Sequence, residues 1–251
     1  MGIKVLFIIP LAFLCEFMDS TLGMGYGTTL APILILMGFE PLQVVPAILL
    51  SEFVTGISAA FFHHSVKNVS FNLRSNDTKV AFVLTIFSII GVICSVLLAV
   101  KLPSKIVKLY ISLIVLAMGI IIIATRNRQI RFTWRKIIAA GSIAAFNKGI
   151  SGGGYGPVVM GGQMLSGIGV KNAVAITSLA EGVTCLVGIV VYFVTKSNVD
   201  WILAPWLMAG AVLSVPLSAH TLKKITEKKV KLAVGITIIA LGCFTLIKVL
   251  F

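Results

Sequence analysis

A glycine-rich motif occurs twice in this chain, each time inside strongly apolar sequence. Residues 23–27 read Gly-Met-Gly-Tyr-Gly, and a shift of 129 positions carries them onto residues 152–156, which read Gly-Gly-Gly-Tyr-Gly. The same shift carries Glu52 onto Glu181, with matching Leu, Val and Thr neighbours. Broken apolar segments at matching positions of two halves are the best sequence pointer to the substrate site of a secondary transporter.

The composition places these motifs in a membrane. Apolar residues make up 58% of the chain and charged residues only 12%, and the mean hydropathy is +1.08. Several apolar runs reach the roughly 18–20 residues that cross a bilayer. The formal charge of +13 would suggest nucleic acid in a soluble protein, but the basic residues lie mostly in short loops. We therefore expect a lipid bilayer and no nucleic acid as partner.

Each half reads as five helical segments, so we predict an all-α polytopic protein with two inverted repeats. The predicted segments are 5–18, 28–37, 41–62, 80–100 and 105–124, then 134–146, 157–165, 171–195, 201–220 and 229–249. The repeats are predicted at 1–125 and 137–251, with a basic cytoplasmic linker at 126–136. Together they form one integral membrane domain.

The first two segments of each half are short. We expect each pair to form a hairpin with its glycine-rich tip at mid-depth, followed by three full spans. A full crossing by the short segments is the alternative. Each half then crosses the membrane three times in the first case and five times in the second. Both numbers are odd, so the second half is inverted relative to the first in either case.

The charges predict the orientation. Loops on one side carry 14 of the 21 lysines and arginines, and the other side carries six. By the positive-inside rule the first side is cytoplasmic. We expect a multi-pass protein of a bacterial or archaeal plasma membrane with both termini outside.

The glycine motifs predict an anion site. After each motif a short helix is expected to begin, at Thr28 or Pro157, with its positive end inside the protein. The predicted substrate-binding residues are Gly23, Gly25, Tyr26, Gly27, Thr28, Asn147, Lys148, Ser151, Gly152, Gly153, Gly154, Tyr155 and Gly156. For Tyr26 and Tyr155, packing against neighbouring helices is an equal alternative.

Lys148 is an intramembrane cation, which usually has a function or a partner. Its counterpart under the shift is Asp19. Three readings stay open: Lys148 faces the substrate anion with Asp19 as its partner or as a proton carrier, it forms a structural ion pair with Asp19, or it extends to the surface.

Glu52 and Glu181 lie near the middle of full-length segments. A buried carboxyl can exchange a proton near neutral pH. With Asp19, these residues are our candidates for proton coupling or gating; hydrogen bonding to the backbone at the breaks is the structural alternative.

The pattern resembles the sulfite exporter TauE/SafE family. The signature Gly-x-Gly-[GY]-Gly-x-x-x-x-Pro matches residues 23–32 as Gly-Met-Gly-Tyr-Gly-Thr-Thr-Leu-Ala-Pro, and the second copy is similar. The resemblance implies eight to ten membrane helices in two related halves. It also implies transport of small sulfur-containing anions such as sulfite, thiosulfate, sulfoacetate or related organosulfonates.

Other function classes fit less well. A cation channel with a Gly-Tyr-Gly filter conflicts with helix N-termini that repel cations. No common catalytic motif or Cys/His cluster occurs, so we expect a protein that is not an enzyme and needs no cofactor or metal. Transport of a non-sulfur organic anion remains an alternative, and a homodimer is compatible with the sequence.

Overall fold

The protein is built from α-helices. The computed structural model describes residues 2–72, 74–125, 134–165, 168–195, 203–222 and 227–250, and no β-strand occurs among them. The first half contains α1 (Gly2–Leu22), α2 (Tyr26–Leu36), α3 (Pro41–Ser65), α4 (Asn76–Ala99) and α5 (Ser104–Thr125). The second contains α6 (Trp134–Ser151), α7 (Tyr155–Leu165), α8 (Val170–Val194), α9 (Leu203–Thr221) and α10 (Glu227–Leu250).

The helices have the surface of a membrane protein. Among the described residues, α3, α4, α8 and α9 are long and apolar enough to cross a bilayer. Large apolar side chains such as Phe61, Phe82 and Leu213 are about two-thirds exposed. A water-soluble domain would bury such side chains, whereas lipid tails solvate them. The prediction of an all-α polytopic membrane protein is confirmed.

Local sequence explains where two of the spans begin. Glu40 and Gln43 form a reciprocal capping box at the start of α3, where Pro41 occupies the first helical position. Ser75 caps α4 by accepting the backbone N–H of Thr78 at 3.1 Å. These caps satisfy N–H groups that have no partner within the helix.

The packing pattern repeats when the halves are exchanged. The most extensive contacts join α1 to α9 and α4 to α6, which are equivalent pairs, and join α3 to α8 and α5 to α10. Glycines allow two of these pairs to approach closely: Gly210 lies against Ile9 of α1, and Gly91 lies against Ser142 of α6. Each hairpin therefore packs mainly on a helix of the opposite half.

The contacts between α3 and α8 show that the halves are inverted. Leu49 lies against Gly188, and Gly56 lies against Gly182. Numbers rise along α3 as they fall along α8, so these equivalent helices are antiparallel. Two equivalent spans can be antiparallel only if their symmetry axis lies in the membrane plane.

The first two helices of each half form a hairpin, as predicted. Leu36 ends α2, and α3 begins at Pro41 on the same side. There the Leu36 carbonyl accepts a hydrogen bond at 2.9 Å from Lys248 of α10. At the end of α7, Gln163 donates to the Ala173 carbonyl at 3.4 Å, near the start of α8. Each short helix thus returns to the side where the next span begins.

The hairpins differ from the prediction in length and depth. α1 and α6 contain 21 and 18 residues, so the predicted short first segments were wrong. Gly23 lies against Val174, about one turn into α8, and Gly152 lies against Ile48, two turns into α3. Each tip therefore passes the middle of the bundle. The helices continue beyond the predicted ends because the polar side chains there have partners inside the protein.

The helix ends group into the two layers that the loop charges predict. The end of α3 and the starts of α4 and α8 line one open cavity of about 590 Å³. Glu40 at the start of α3 pairs with Lys108 of α5 at 2.9 Å in the opposite layer. Residues 126–133, most of the predicted linker, lie outside the described residues, so the repeat boundaries stay a prediction.

Candidate functional site

The two glycine motifs contact each other at the centre of the protein. Gly27 lies directly against the Gly152 backbone, and Gly156 against the backbone of Gly23 and Met24. No side chain larger than hydrogen fits between these main chains. Gly152 has a φ of +70°, a conformation that L side chains rarely adopt. The glycines thus bring two helix starts, one from each face of the bundle, into contact.

The helix starts lie two residues earlier than predicted, at Tyr26 and Tyr155. At α2, the Asp19 carboxylate accepts the Tyr26 backbone N–H at 3.1 Å. The positive end of α2 therefore already has an internal anion.

The start of α7 meets neutral groups instead. Gly153 N–H donates to the Ser151 hydroxyl, and Gly154 N–H donates to the Thr28 hydroxyl, both at 3.1 Å. A hydroxyl carries no charge to neutralise the helix dipole. Of the two helix starts, α7 is consequently the one whose positive end lacks an internal carboxylate on its first N–H groups.

Lys148 lies between two glutamates. Its Nζ is 2.7 Å from Glu181 Oε1 on α8 and also pairs with Glu52 Oε2 on α3. The lysine is only 1% exposed, and both glutamates are buried. The symmetric glutamates of the two halves thus bind one cation, which comes from the second half alone.

This geometry argues against two of the sequence-based interpretations of Lys148, and the third, that it faces the substrate anion, stays a prediction. Its burial excludes extension to the surface. Its ion pairs are with Glu52 and Glu181, so the direct pair with Asp19 was wrong. Asp19 instead binds the start of α2. The shift of 129 relates equivalent positions, and equivalent positions in an inverted repeat need not touch.

The two motif tyrosines are completely buried. The Tyr26 hydroxyl bonds to the Ser51 hydroxyl at 2.8 Å, and the Tyr155 hydroxyl bonds to the Ser88 hydroxyl at 3.0 Å. Both hydroxyls thus join the hairpins to a neighbouring span, which agrees with the packing alternative. Asn147 accepts the Tyr110 hydroxyl at 2.6 Å, and its side chain also lies beside the start of α7.

Glu16 was not among the site residues predicted above, because its counterpart under the shift of 129 is Ala145 and the repeat therefore does not mark it. The structure buries Glu16 beside this site, where it accepts the Ser20 hydroxyl at 2.5 Å. The sequence does predict the contact of Glu16 with Ser20, because residues four apart on a helix are neighbours. The proximity of Glu16 to Glu52 depends on how α1 packs against α3 and has no sequence signal.

Glu52 and Glu181 thus bind one buried lysine, and the buried carboxyls of Asp19 and Glu16 lie near this group. Two oxygens of these four carboxyls, Glu16 Oε2 and Glu52 Oε1, make no hydrogen bond of ordinary length. Burying a charge without a partner is costly, so such a cluster must bind protons or change partners when another charged group enters. Among the described residues, no group of His, Cys, Asp and Glu has the geometry to hold a metal ion.

Comparisons with known proteins show the family of this chain. The model of the sulfite exporter TauE/SafE family matches residues 8–245. The chain belongs to this family. It is also 27% identical over 250 residues to the "Probable membrane transporter protein YtnM" of Bacillus subtilis (strain 168), covering 94% of this chain and 81% of that protein. No solved structure matches. The chain is thus a multi-pass membrane transporter of the TauE/SafE family.

Proposed function

We propose that this protein is a secondary transporter that moves small sulfur-containing anions across the plasma membrane of a bacterium or archaeon. Its substrates would be sulfite, thiosulfate, sulfoacetate or related organosulfonates, as the family description suggests for part of this range. The observation that carries the proposal is Lys148, a buried cation close to the contacting glycine motifs. An intramembrane cation of this kind usually marks a substrate pathway.

The anion would bind at the start of α7. Two features favour this end over α2: Asp19 occupies the N-terminus of α2, and Lys148 lies in the last turn of α6, just before the break. Backbone N–H groups at a helix start and a nearby ammonium group are the usual ligands of small oxyanions. An anion at α7 would take the N–H groups of Gly153 and Gly154 from the Ser151 and Thr28 hydroxyls. Asn147, Ser151 and Thr28 would add neutral hydrogen bonds from the sides.

Binding of an anion would be linked to binding of a proton. Lys148 is already paired with Glu52 and Glu181, so an incoming anion must replace at least one glutamate as its partner. The displaced carboxylate would lie buried without a cation, which strongly favours its protonation. Anion and proton would then bind together, and alternating access would carry both across the membrane.

The test is a flux measurement on the purified protein in liposomes. Sulfite, thiosulfate and sulfoacetate are compared with acetate and potassium, with and without a pH gradient. We expect flux of a sulfur anion that a pH gradient accelerates. Flux of acetate alone would favour the non-sulfur alternative, and a potassium current would favour a channel. Absence of flux with every sulfur anion would overturn the proposed substrate class.

A matched pair of lysine variants tests the site. Lys148→Ala removes the central cation, whereas Lys108→Ala removes a partly exposed lysine that pairs with Glu40 near a helix end. We expect the first to abolish sulfur-anion binding and the second to leave it nearly unchanged. Equal anion affinity in Lys148→Ala and the unmodified protein would remove Lys148 from the binding site.

A further inference from the structure

The first half contains a line of buried polar groups that the second half lacks. Glu16, Ser20 and His63 are buried between α1 and α3. Under the shift of 129 their counterparts are Ala145, Gly149 and Tyr192. Tyr192 keeps the contact between the helices, because its hydroxyl donates to the Gly149 carbonyl at 2.9 Å. It replaces a histidine with a group that does not titrate near neutral pH.

His63 joins this line to the surface. Its Nε2 donates to the Ser20 carbonyl at 3.0 Å, so its Nδ1 must accept the Asn68 amide, also at 3.0 Å. The Asn68 orientation follows from its second hydrogen bond, because only its Nδ2 can donate to the Ala219 carbonyl. Asn68 lines the open cavity at the end of α3. The neutral imidazole therefore lies between that cavity and α1.

Of the four central carboxyls, Glu16 has the least stabilisation of its negative charge by neighbouring groups. Lys148 neutralises one charge of the pair Glu52 and Glu181, and the start of α2 stabilises Asp19. Glu16 accepts a hydrogen bond from Ser20, and the Thr55 hydroxyl of α3 also lies close enough to stabilise its charge. Its Oε2 makes no hydrogen bond of ordinary length. It is 2% exposed.

Among the described residues, the charged and titratable groups that act directly on Glu16 include no cation. They are Cys15 and Asp19 on α1, Tyr26 on α2 and Glu52 on α3. Lys148, Glu181 and Cys185 belong to the ion-paired cluster around Glu52, and His63 bonds to the Ser20 carbonyl. A buried carboxyl in that position takes up a proton readily, because its charged form has no cation beside it.

We propose that Glu16 is the carboxyl through which protons enter the central cluster and that His63 connects it, through Ser20, to the cavity at the end of α3. Asn68 releases Nδ1, which takes a proton from the cavity. Nε2 then gives its proton to the Ser20 hydroxyl, which passes its own proton to Glu16, so that the Glu16 carboxylate becomes a carboxyl. The imidazole ends neutral as the Nδ1–H tautomer, and a reorientation of the ring restores its starting bonds to Ser20 and Asn68. Protons thus reach the centre through the first half, from the cavity at the end of α3.

Infrared spectroscopy of the purified full-length protein tests proton binding without any substrate. Lowering the pH should produce the carbonyl band of a protonated carboxyl. Glu16→Gln, which has nearly the shape of the protonated side chain, should remove that band, and Glu16→Asp should shift it. A band that stays unchanged in both variants would overturn the assignment to Glu16.

A symmetric pair of variants tests the route. His63→Phe and Tyr192→Phe remove equivalent hydrogen bonds to the hairpin backbone. After a rapid drop in pH, the Glu16 band should form more slowly in His63→Phe and at the normal rate in Tyr192→Phe. Equal rates in the two variants would exclude His63 as the connection, even if Glu16 binds the proton.

The coupling of this proton to transport rests on the proposed function. A transport measurement therefore distinguishes failure of the proton proposal from failure of the proposed substrate. In Glu16→Gln liposomes we expect thiosulfate exchange to continue and accumulation driven by a pH gradient to be lost. Accumulation at the normal level would overturn the coupling through Glu16. Failure of the unmodified protein to exchange any sulfur anion would instead overturn the proposed substrate while the infrared result stands.

Discussion

At the scale of single residues, the central fact is that Lys148 has two glutamates for one charge. A one-to-one buried pair would leave no reason for either partner to exchange. With two carboxylates, one partner can leave while the lysine stays paired. The site is therefore suited to trading one anion for another, which a transporter needs and a purely structural ion pair does not.

This stoichiometry makes a non-additive prediction for stability. Glu52→Gln or Glu181→Gln alone leaves a neutral one-to-one pair, so each should change the free energy of unfolding by less than about 1.5 kcal/mol. The double variant leaves Lys148 as a buried, unpaired cation and should cost about 3–5 kcal/mol. Thermal unfolding in detergent gives all three values.

The coupling between the two glutamates decides the interpretation. If the double variant loses only the sum of the single losses, the carboxylates do not share Lys148. Each single variant should also alter the pH profile of transport, because it removes one proton-binding group. An unaltered profile in both would leave Glu52 and Glu181 with a structural function alone.

Glu40 gives a pH prediction outside the membrane spans. The Ser104 hydroxyl and Lys108 bind its carboxylate and hold its pKa below the ordinary 4.5. A lowered folded-state pKa contributes stability that is complete above pH 4.5 and is lost as the pH falls through the folded pKa. Because the site is exposed, the loss should be below about 1 kcal/mol. Unfolding measured from neutral pH to below pH 4.5 should show this loss of stability. In Glu40→Gln this part of the pH dependence should be absent.

Part of the site could be predicted from the sequence. Lys148, Glu52 and Glu181 stand out because a charge inside an apolar helix is rare. Their mutual contact could not be predicted, since it depends on the crossing of α3 and α8 and on how far α6 enters the bundle. The shift of 129 instead suggested Asp19 as the partner, because sequence symmetry reports equivalence and not distance.

At the scale of helices and hairpins, the glycine motifs position the two tips against each other. Gly27→Ala would place a methyl group on the Gly152 carbonyl, where only main-chain movement can make room. We expect overpacking to lower the free energy of unfolding by at least about 1–3 kcal/mol. We also expect loss of transport, because the added methyl group forces the two tips apart. Thermal unfolding and thiosulfate flux measure the two effects.

Gly169→Ala is the matched control for this hairpin prediction. The position has an ordinary φ of −60°, and an added methyl group would meet only Asn172 at a normal contact distance. Its stability and flux should stay close to those of the unmodified protein. If Gly27→Ala also behaved normally, the tips would not be in contact in the membrane, and the central site would need a different geometry.

The number and order of the helices could be read from the sequence, but two of their lengths could not. Apolar runs and charged loops mark the spans, and the repeat supplies a second copy of each. The ends of α1 and α6 were predicted too early because Asp19 and Lys148 are polar, and polar residues usually end an apolar run. Here these side chains find partners inside the bundle, so both helices continue.

At the scale of the whole molecule, the packing divides the protein differently from the sequence repeat. α4 packs most extensively on α6 and α8, whereas α9 packs most extensively on α1 and α3. Helices from both halves thus form each group, and the groups meet where α3 crosses α8. A movement that keeps these contacts would rotate the group α4–α6–α8 against the group α1–α3–α9, rather than one repeat against the other.

Chemical cross-linking tests this division with one shared position. Asn172 on α8 donates to Asp77 on α4 at 2.8 Å, and Ser65 at the end of α3 lines the same cavity. Both pairs join the two sequence halves, but only the pair of Ser65 and Asn172 joins the two packing groups. The exposed Cys94 and Cys243 are first replaced by serine.

If the packing groups are the moving bodies, a short thiol cross-linker on Ser65→Cys/Asn172→Cys should arrest transport, and reversal of the link should restore it. The same link on Asp77→Cys/Asn172→Cys should leave flux nearly unchanged, because α4 and α8 would move together. Arrest by both links would assign the movement to the sequence halves. Normal flux with both would exclude either rotation as the transport step and would require a motion confined to the hairpins.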